Sequence, residues 1–209
     1  MAAERGFGMA RETVSKAVTW GLLAAWAVHD LEELATMARW TRAARPVLRE
    51  RFPGLPEAVL ERMEISRREA GAAIGLMGGL VAAAAADGAR TGGRSRFFRA
   101  ALVGFGAHGG VHLAQSLAYR GYTPGVITAP VVVVPYTVWA LRRLRAAGVG
   151  SGGARTGAAA LVLLPAALGG VHTLARRIGR PGRAGRSAVR PGQKSAVTRS
   201  STRATESWA

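Results

Sequence analysis

The chain has 209 residues, 49% of them hydrophobic, and a formal net charge of +17. It contains no cysteine, which excludes disulfides, thiolate metal sites and cysteine nucleophiles. Every acidic residue except Glu206 lies at or before Asp87, so apolar and basic character belong to different stretches. The basic residues are arginines apart from Lys16 and Lys194, and the heavy Ala, Gly and Arg usage points to a GC-rich bacterial source.

Residues 1–13 form a short polar, mildly basic segment. An apolar run follows and continues in helical pattern through Leu34, Ala35, Met37 and Ala38. The expectation is an uncleaved first membrane helix over about 14–38, with a cleaved signal peptide as the alternative. Residues 39–69 read as a polar connection with a turn at Phe52-Pro53-Gly54-Leu55-Pro56 and an amphipathic helix from Glu57. That helix fits a membrane surface or solvent equally well.

Further apolar segments lie at about 70–86, 97–119, 126–141 and 157–175. Each is near the roughly 20 residues that a membrane-spanning helix needs. Gly75 and Gly79 form a small-xxx-small pair that permits close helix packing. Pro130 and Pro135 interrupt the fourth segment, and Pro165 the fifth. Residues 178–209 are Arg, Gly, Ser and Pro with few hydrophobics, the composition of a disordered tail that contacts solvent or anionic lipid. Nucleic-acid binding by that tail lacks aromatic interleaving. The predicted fold is all-α, an integral membrane bundle of about five transmembrane helices spanning 14–177. A soluble Ala-rich bundle is the alternative.

Polar side chains inside such helices are costly, about 2.5–3.5 kcal/mol each for a charge at a bilayer centre. They therefore mark function or assembly. His29, Glu32 and Glu33 stand at i, i+3 and i+4, on one helical face, with Asp30 to the side and Leu31 away. An imidazole and two carboxylates on one wedge suit zinc, iron or manganese. His108 and His112 repeat the i, i+4 spacing in the third segment. If five helices alternate, the first, third and fifth run parallel. Counting about 1.5 Å per residue, His29, His108, His112 and His172 then lie ~18, ~16, ~22 and ~21 Å deep, in one slab. Glu69 opens the second helix on the same side, and Tyr122 and Thr128 flank the turn there.

The pattern His29-x-x-Glu32-Glu33 at the end of a first apolar helix resembles the HXXEE-domain family of small multi-spanning bacterial membrane proteins. A second block supports the resemblance: His112-Leu113-Ala114-Gln115-Ser116, then Tyr122 to Ala129. It covers roughly residues 17–145. It implies an architecture and carries no activity with it.

Two function classes follow. One is a metal-dependent membrane enzyme acting on a lipid-soluble substrate. Its ligands would be His29, Glu32, Glu33, His108 and His112, holding one or two ions, with His172 and Glu69 as secondary candidates and one carboxylate, Glu33 before Glu32, left uncoordinated as general base. The other is a non-enzymatic membrane protein, an accessory subunit or a proton or solute path, in which these groups form a buried network. In that reading Glu32 and Glu33 pair with an arginine such as Arg39, and His172 is a hydrogen-bonded packing residue. The order His-x-x-Glu-Glu is neither the His-Glu-x-x-His of metalloprotease helices nor the Glu-x-x-His of di-iron bundles. No P-loop, dinucleotide-binding glycine fingerprint or serine elbow is present.

Overall fold

The computed structural model describes residues 14–150 and 153–179. The expected N-terminal segment and the Arg-rich tail from residue 180 lie outside the described residues. Among the described residues every element is helical. Six α-helices follow in order: α1 Lys16–Arg51, α2 Glu57–Met63, α3 Arg67–Arg90, α4 Arg96–Tyr119, α5 Val134–Ala146 and α6 Gly153–Gly179. A five-residue π-helical turn, Ala129–Val133, leads directly into α5.

α1 does not stop near Ala38 but continues to Arg51. The extension, residues 39–51, is mostly Arg, Ala, Leu and Glu, good helix formers, and Pro46 is carried inside it. Its buried positions Ala44 and Leu48 pack with Leu60 of α2, closed by Trp40, Leu55 and Tyr119. Arg45 forms ion pairs with Glu57 and, at 2.5 Å, with Glu64, while Arg49 reaches Glu57 at 2.6 Å. The polar connection is thus a helical hairpin folded back on α1.

α3 starts at Arg67, behind a capping box in which Ser66 Oγ accepts from the Glu69 N–H and Glu69 Oε2 accepts from the Ser66 N–H. It runs antiparallel to α1: Gly78 lies against Trp26 and Gly71 against Leu34. These are the glycines that meet α1, whereas Gly75 and Gly79 have no neighbour within 4 Å of an added Cβ. α4 returns, with Phe98 wholly buried against Gly88. α6 covers α3 and α4, with Val171 and Ala175 against Ala73. The main core joins Val18, Leu22 and Ala25 of α1 to Phe98, Leu102 and Phe105 of α4, and to Val133 and Leu144 around α5.

Pro130 and Pro135 have a visible consequence. The Val134 N–H bonds to the Ala129 carbonyl, five residues back, skipping the Pro130 carbonyl. The expected fourth helix therefore begins as a π turn, a feature found where chain geometry is adjusted locally. Among the described residues two helices are long and apolar enough to cross a membrane, Arg67–Arg90 and Thr156–Ile178, where the sequence suggested five. α1 misses that measure because of its His, Asp, Glu and Arg side chains, and α5 with its π turn covers only residues 129–146.

Candidate metal centre

The buried stripe of α1 passes straight through the polar motif. Val18, Leu22, Ala25, His29 and Glu33 follow one another at steps of three or four residues, so they point to one side. That step pattern carries His29 to 0% and Glu33 to 7% exposure. From α4, His108 and His112 face the same point, one turn apart. The imidazole centroids of His29, His108 and His112 lie 4.3–5.3 Å from one another. His112 Nε2 stands 3.1 Å from Glu33 Oε1 and 2.9 Å from His108 Nε2. One ligating atom from each of His29, Glu33, His108 and His112 falls within 4.8 Å of all the others. Four bonds of about 2.0–2.1 Å in a tetrahedral site put ligand atoms roughly 3.3 Å apart, so the group needs only a small contraction to grip one ion.

Glu32 does something else. Its Oε2 accepts from the Thr128 N–H at 2.9 Å and the Thr128 hydroxyl at 2.7 Å. Its Oε1 accepts from the Tyr122 hydroxyl at 2.8 Å and the Ile127 N–H at 3.3 Å. The backbone N–H groups at the start of a helix have no partner of their own, and an anion there is favourable. Glu32 supplies that anion from α1 to the π turn and α5, across 96 residues of sequence.

This arrangement fixes the proton on His29. Thr128 Oγ1 lies 2.7 Å from both His29 Nδ1 and Glu32 Oε2. A carboxylate only accepts, so the single hydroxyl proton goes to Glu32, and His29 Nδ1–H must be the donor to Thr128. His29 Nε2 is left with a bare lone pair, buried and without a hydrogen-bond partner. Hydrogen-bond chains of this kind, behind the ligand, hold a metal-binding imidazole in the correct tautomer.

The turn before α5 shapes the other wall. Gly125 has φ +83°, and a Cβ there would sit 2.7 Å from His112 Nδ1 and 2.8 Å from His29 Cε1. Only glycine meets both conditions. Phe105 adds an edge-on contact to His29 at 6.1 Å.

Of the remaining expected residues, His172 lines a cavity beside the cluster but stands outside the four-residue group. Glu69 closes the helix cap of α3, and the Ser66-x-x-Glu69 spacing in the sequence signals that role. Asp30, read from helical spacing as pointing aside, is 7% exposed and lines the same cavity as Glu33 and His108. Burial and the neighbouring Glu33 charge, with no hydrogen bond among the described residues, make up its surroundings. Its i, i+3 relation to Glu33 was the available signal. Gln115 is exposed, and Ser116 donates to the Gly121 carbonyl within its own turn.

No curated protein and no solved structure matches the chain. A family described as a protein of unknown function with HXXEE motif matches residues 20–140, a span that includes His29, Glu32, Glu33, His108, His112, Gly125 and Thr128. The chain belongs to this HXXEE family.

Proposed function

We propose that the chain is a multi-pass protein of the cell membrane and a metal-dependent enzyme acting on a lipid-soluble substrate. His29, His108, His112 and Glu33 would hold a divalent transition metal, zinc, iron or manganese, with Glu33 also the nearest carboxylate to serve as general base. Three imidazoles and a carboxylate suit these ions. A bound ion would supply Lewis acidity, and it would activate a water only at a fifth position or where Glu33 is uncoordinated and free to act as base. The observation that carries the reading is the bare, buried Nε2 of His29 inside a four-residue ligand group. Glu32 and Thr128 orient that ring and are not ligands themselves.

The membrane reading rests on inverted polarity. On α1, Val28, Leu31 and Leu34 are exposed, Leu31 at 64%, while His29, Asp30 and Glu33 are buried. Water-soluble helices do the opposite. Leu117, Ile127, Val131, Leu161 and Val162 are likewise exposed. Only 22% and 17% of the apolar windows of α3 and α6 are covered by the rest of the chain, which argues against their being core helices of a soluble protein. Five passes would comprise α1, α3, α4, the π turn with α5, and α6.

Cobalt(II) titration of the detergent-solubilised protein tests the metal site. The expected result is a saturable visible spectrum of nitrogen and oxygen ligation that is abolished in His29→Ala and His112→Ala. Absence of any such spectrum in folded protein would favour the non-enzymatic reading, a self-satisfied network closed by the His112–Glu33 pair.

A further inference from the structure

A cavity of about 160 Å³ runs between α1, α3, α4 and α6. α4 contributes a stripe from Phe97 through Ala101, Gly104 and Phe105 to His108. At about 1.5 Å rise per residue this stripe is ~16 Å long. α6 runs the same way, since Leu164 faces Gly104 and His172 lines the cavity with His108. The walls are graded. Leu80, Val81, Phe97 and Ala160 lie toward one end, and Asp30, Glu33, His108 and His172 gather at the other. Ala73, Ala101, Gly104 and Ala167 carry too little side chain to fill the space. No arginine or lysine is among the described residues lining it.

We propose that this cavity is the binding site for the single alkyl chain of a hydroxyl-bearing lipid, with the hydroxyl beside Asp30, Glu33 and His108. The assignment of the head group rests on the metal-site reading above; the chain site does not. The length of the trench matches roughly a dozen methylenes, given tetrahedral C–C bonds of about 1.5 Å. Two observations select the head. Asp30 is more than nine-tenths buried and faces the cavity with no hydrogen bond to it among the described residues, so a ligand group that can both donate and accept suits it in either protonation state. Asp30 and Glu33 already offset the charge of one divalent ion at the cluster, and no arginine or lysine lines the same space, which disfavours a further anion such as a fatty-acid carboxylate or a phosphate head. An alcohol meets both conditions: it donates to Asp30 and presents its oxygen to the cluster.

The test uses the full chain in lipid nanodiscs and a graded series of n-alkanols carrying a photoreactive group at the far end of the chain. The expected result is labelling near Phe97, Leu80 and Ala160, strongest at one chain length and competed by unlabelled alcohol of that length. Ala167→Phe and Gly104→Leu, on different helices, should each shift the optimum to shorter chains at unchanged thermal stability. Asp30→Asn should weaken the alcohol about tenfold. Labelling confined to the outer face at Leu161 and Val162, or independent of chain length, overturns the chain site. Tighter competition by the fatty acid or the alkylamine of equal length overturns the head-group assignment. The labelling is repeated after chelation, with metal content measured in parallel. Chain-length selectivity in metal-free protein upholds this site even where the metal reading fails.

Discussion

Thr128 links α5 to the imidazole of α1 through one oxygen, and its replacement tests the proton assignment directly. Thr128→Val keeps the shape and removes the hydroxyl, leaving His29 Nδ1 and one approach to Glu32 Oε2 without the partner each holds at 2.7 Å. The backbone N–H at 2.9 Å remains on Glu32, so the α5 cap survives. Orphaning buried polar groups of this kind costs about 1–3 kcal/mol of stability. Losing the outer-shell partner of a metal-bound imidazole lowers metal affinity about 10- to 100-fold. Thr128→Ser restores the hydroxyl and should restore both quantities to near wild type. Thermal unfolding in detergent and competition against a chelator of known affinity read the two effects separately. Wild-type metal affinity in Thr128→Val, or equal damage in Thr128→Ser, would refute the relay from Glu32 to His29.

Gly125→Ala should be more harmful, about 1–2 kcal/mol from the left-handed backbone and about 1–3 kcal/mol from pushing on two imidazoles, with metal affinity reduced; unfolding and metal titration check it. Gly88→Ala, whose Cβ would lie 2.5 Å from Phe98 Cγ, should cost about 1–3 kcal/mol, whereas Gly79→Ala meets nothing within 4 Å and should be neutral or stabilising by up to about 1 kcal/mol. The Glu57 carboxylate is held below its ordinary value by hydrogen bonds from Arg49 and Arg45. A group with a depressed folded pKa stabilises above its unfolded pKa, about 4.3, and that contribution is lost as pH falls through the folded value. Amide protection in α2, taken relative to the intrinsic exchange rate, should therefore fall only below about pH 4, and Glu57→Gln should remove that dependence.

Much of the centre was legible because helical spacing alone determines which side chains share a face. His29 with Glu33, and His108 with His112, are both i, i+4 pairs, and counting rise along parallel helices brought the two pairs to a similar depth. The role of Glu32 was not legible in the same way. Spacing puts it beside Glu33, but its partners are the backbone and hydroxyl of a turn 96 residues on, whose N–H groups are free because they precede the first helical hydrogen bonds. Asp30 reads from spacing as standing to the side of the wedge, and one helix taken alone gives no sign of the cavity that α3, α4 and α6 build around it. The limits of α1 were set by tertiary contacts: Arg45 and Arg49 gain acidic partners on α2 only when the helix runs to Arg51.

The central claim is that His29, Glu33, His108 and His112 form one metal site. Its most direct test is the metal content of full-length protein purified without added chelator, by mass spectrometry, beside His29→Ala and Glu33→Gln. The account predicts close to one zinc, iron or manganese ion per chain, absent or strongly reduced in both variants while the helical fold persists. Metal-free wild-type protein that also fails to bind added metal, with both variants losing only stability, would contradict it.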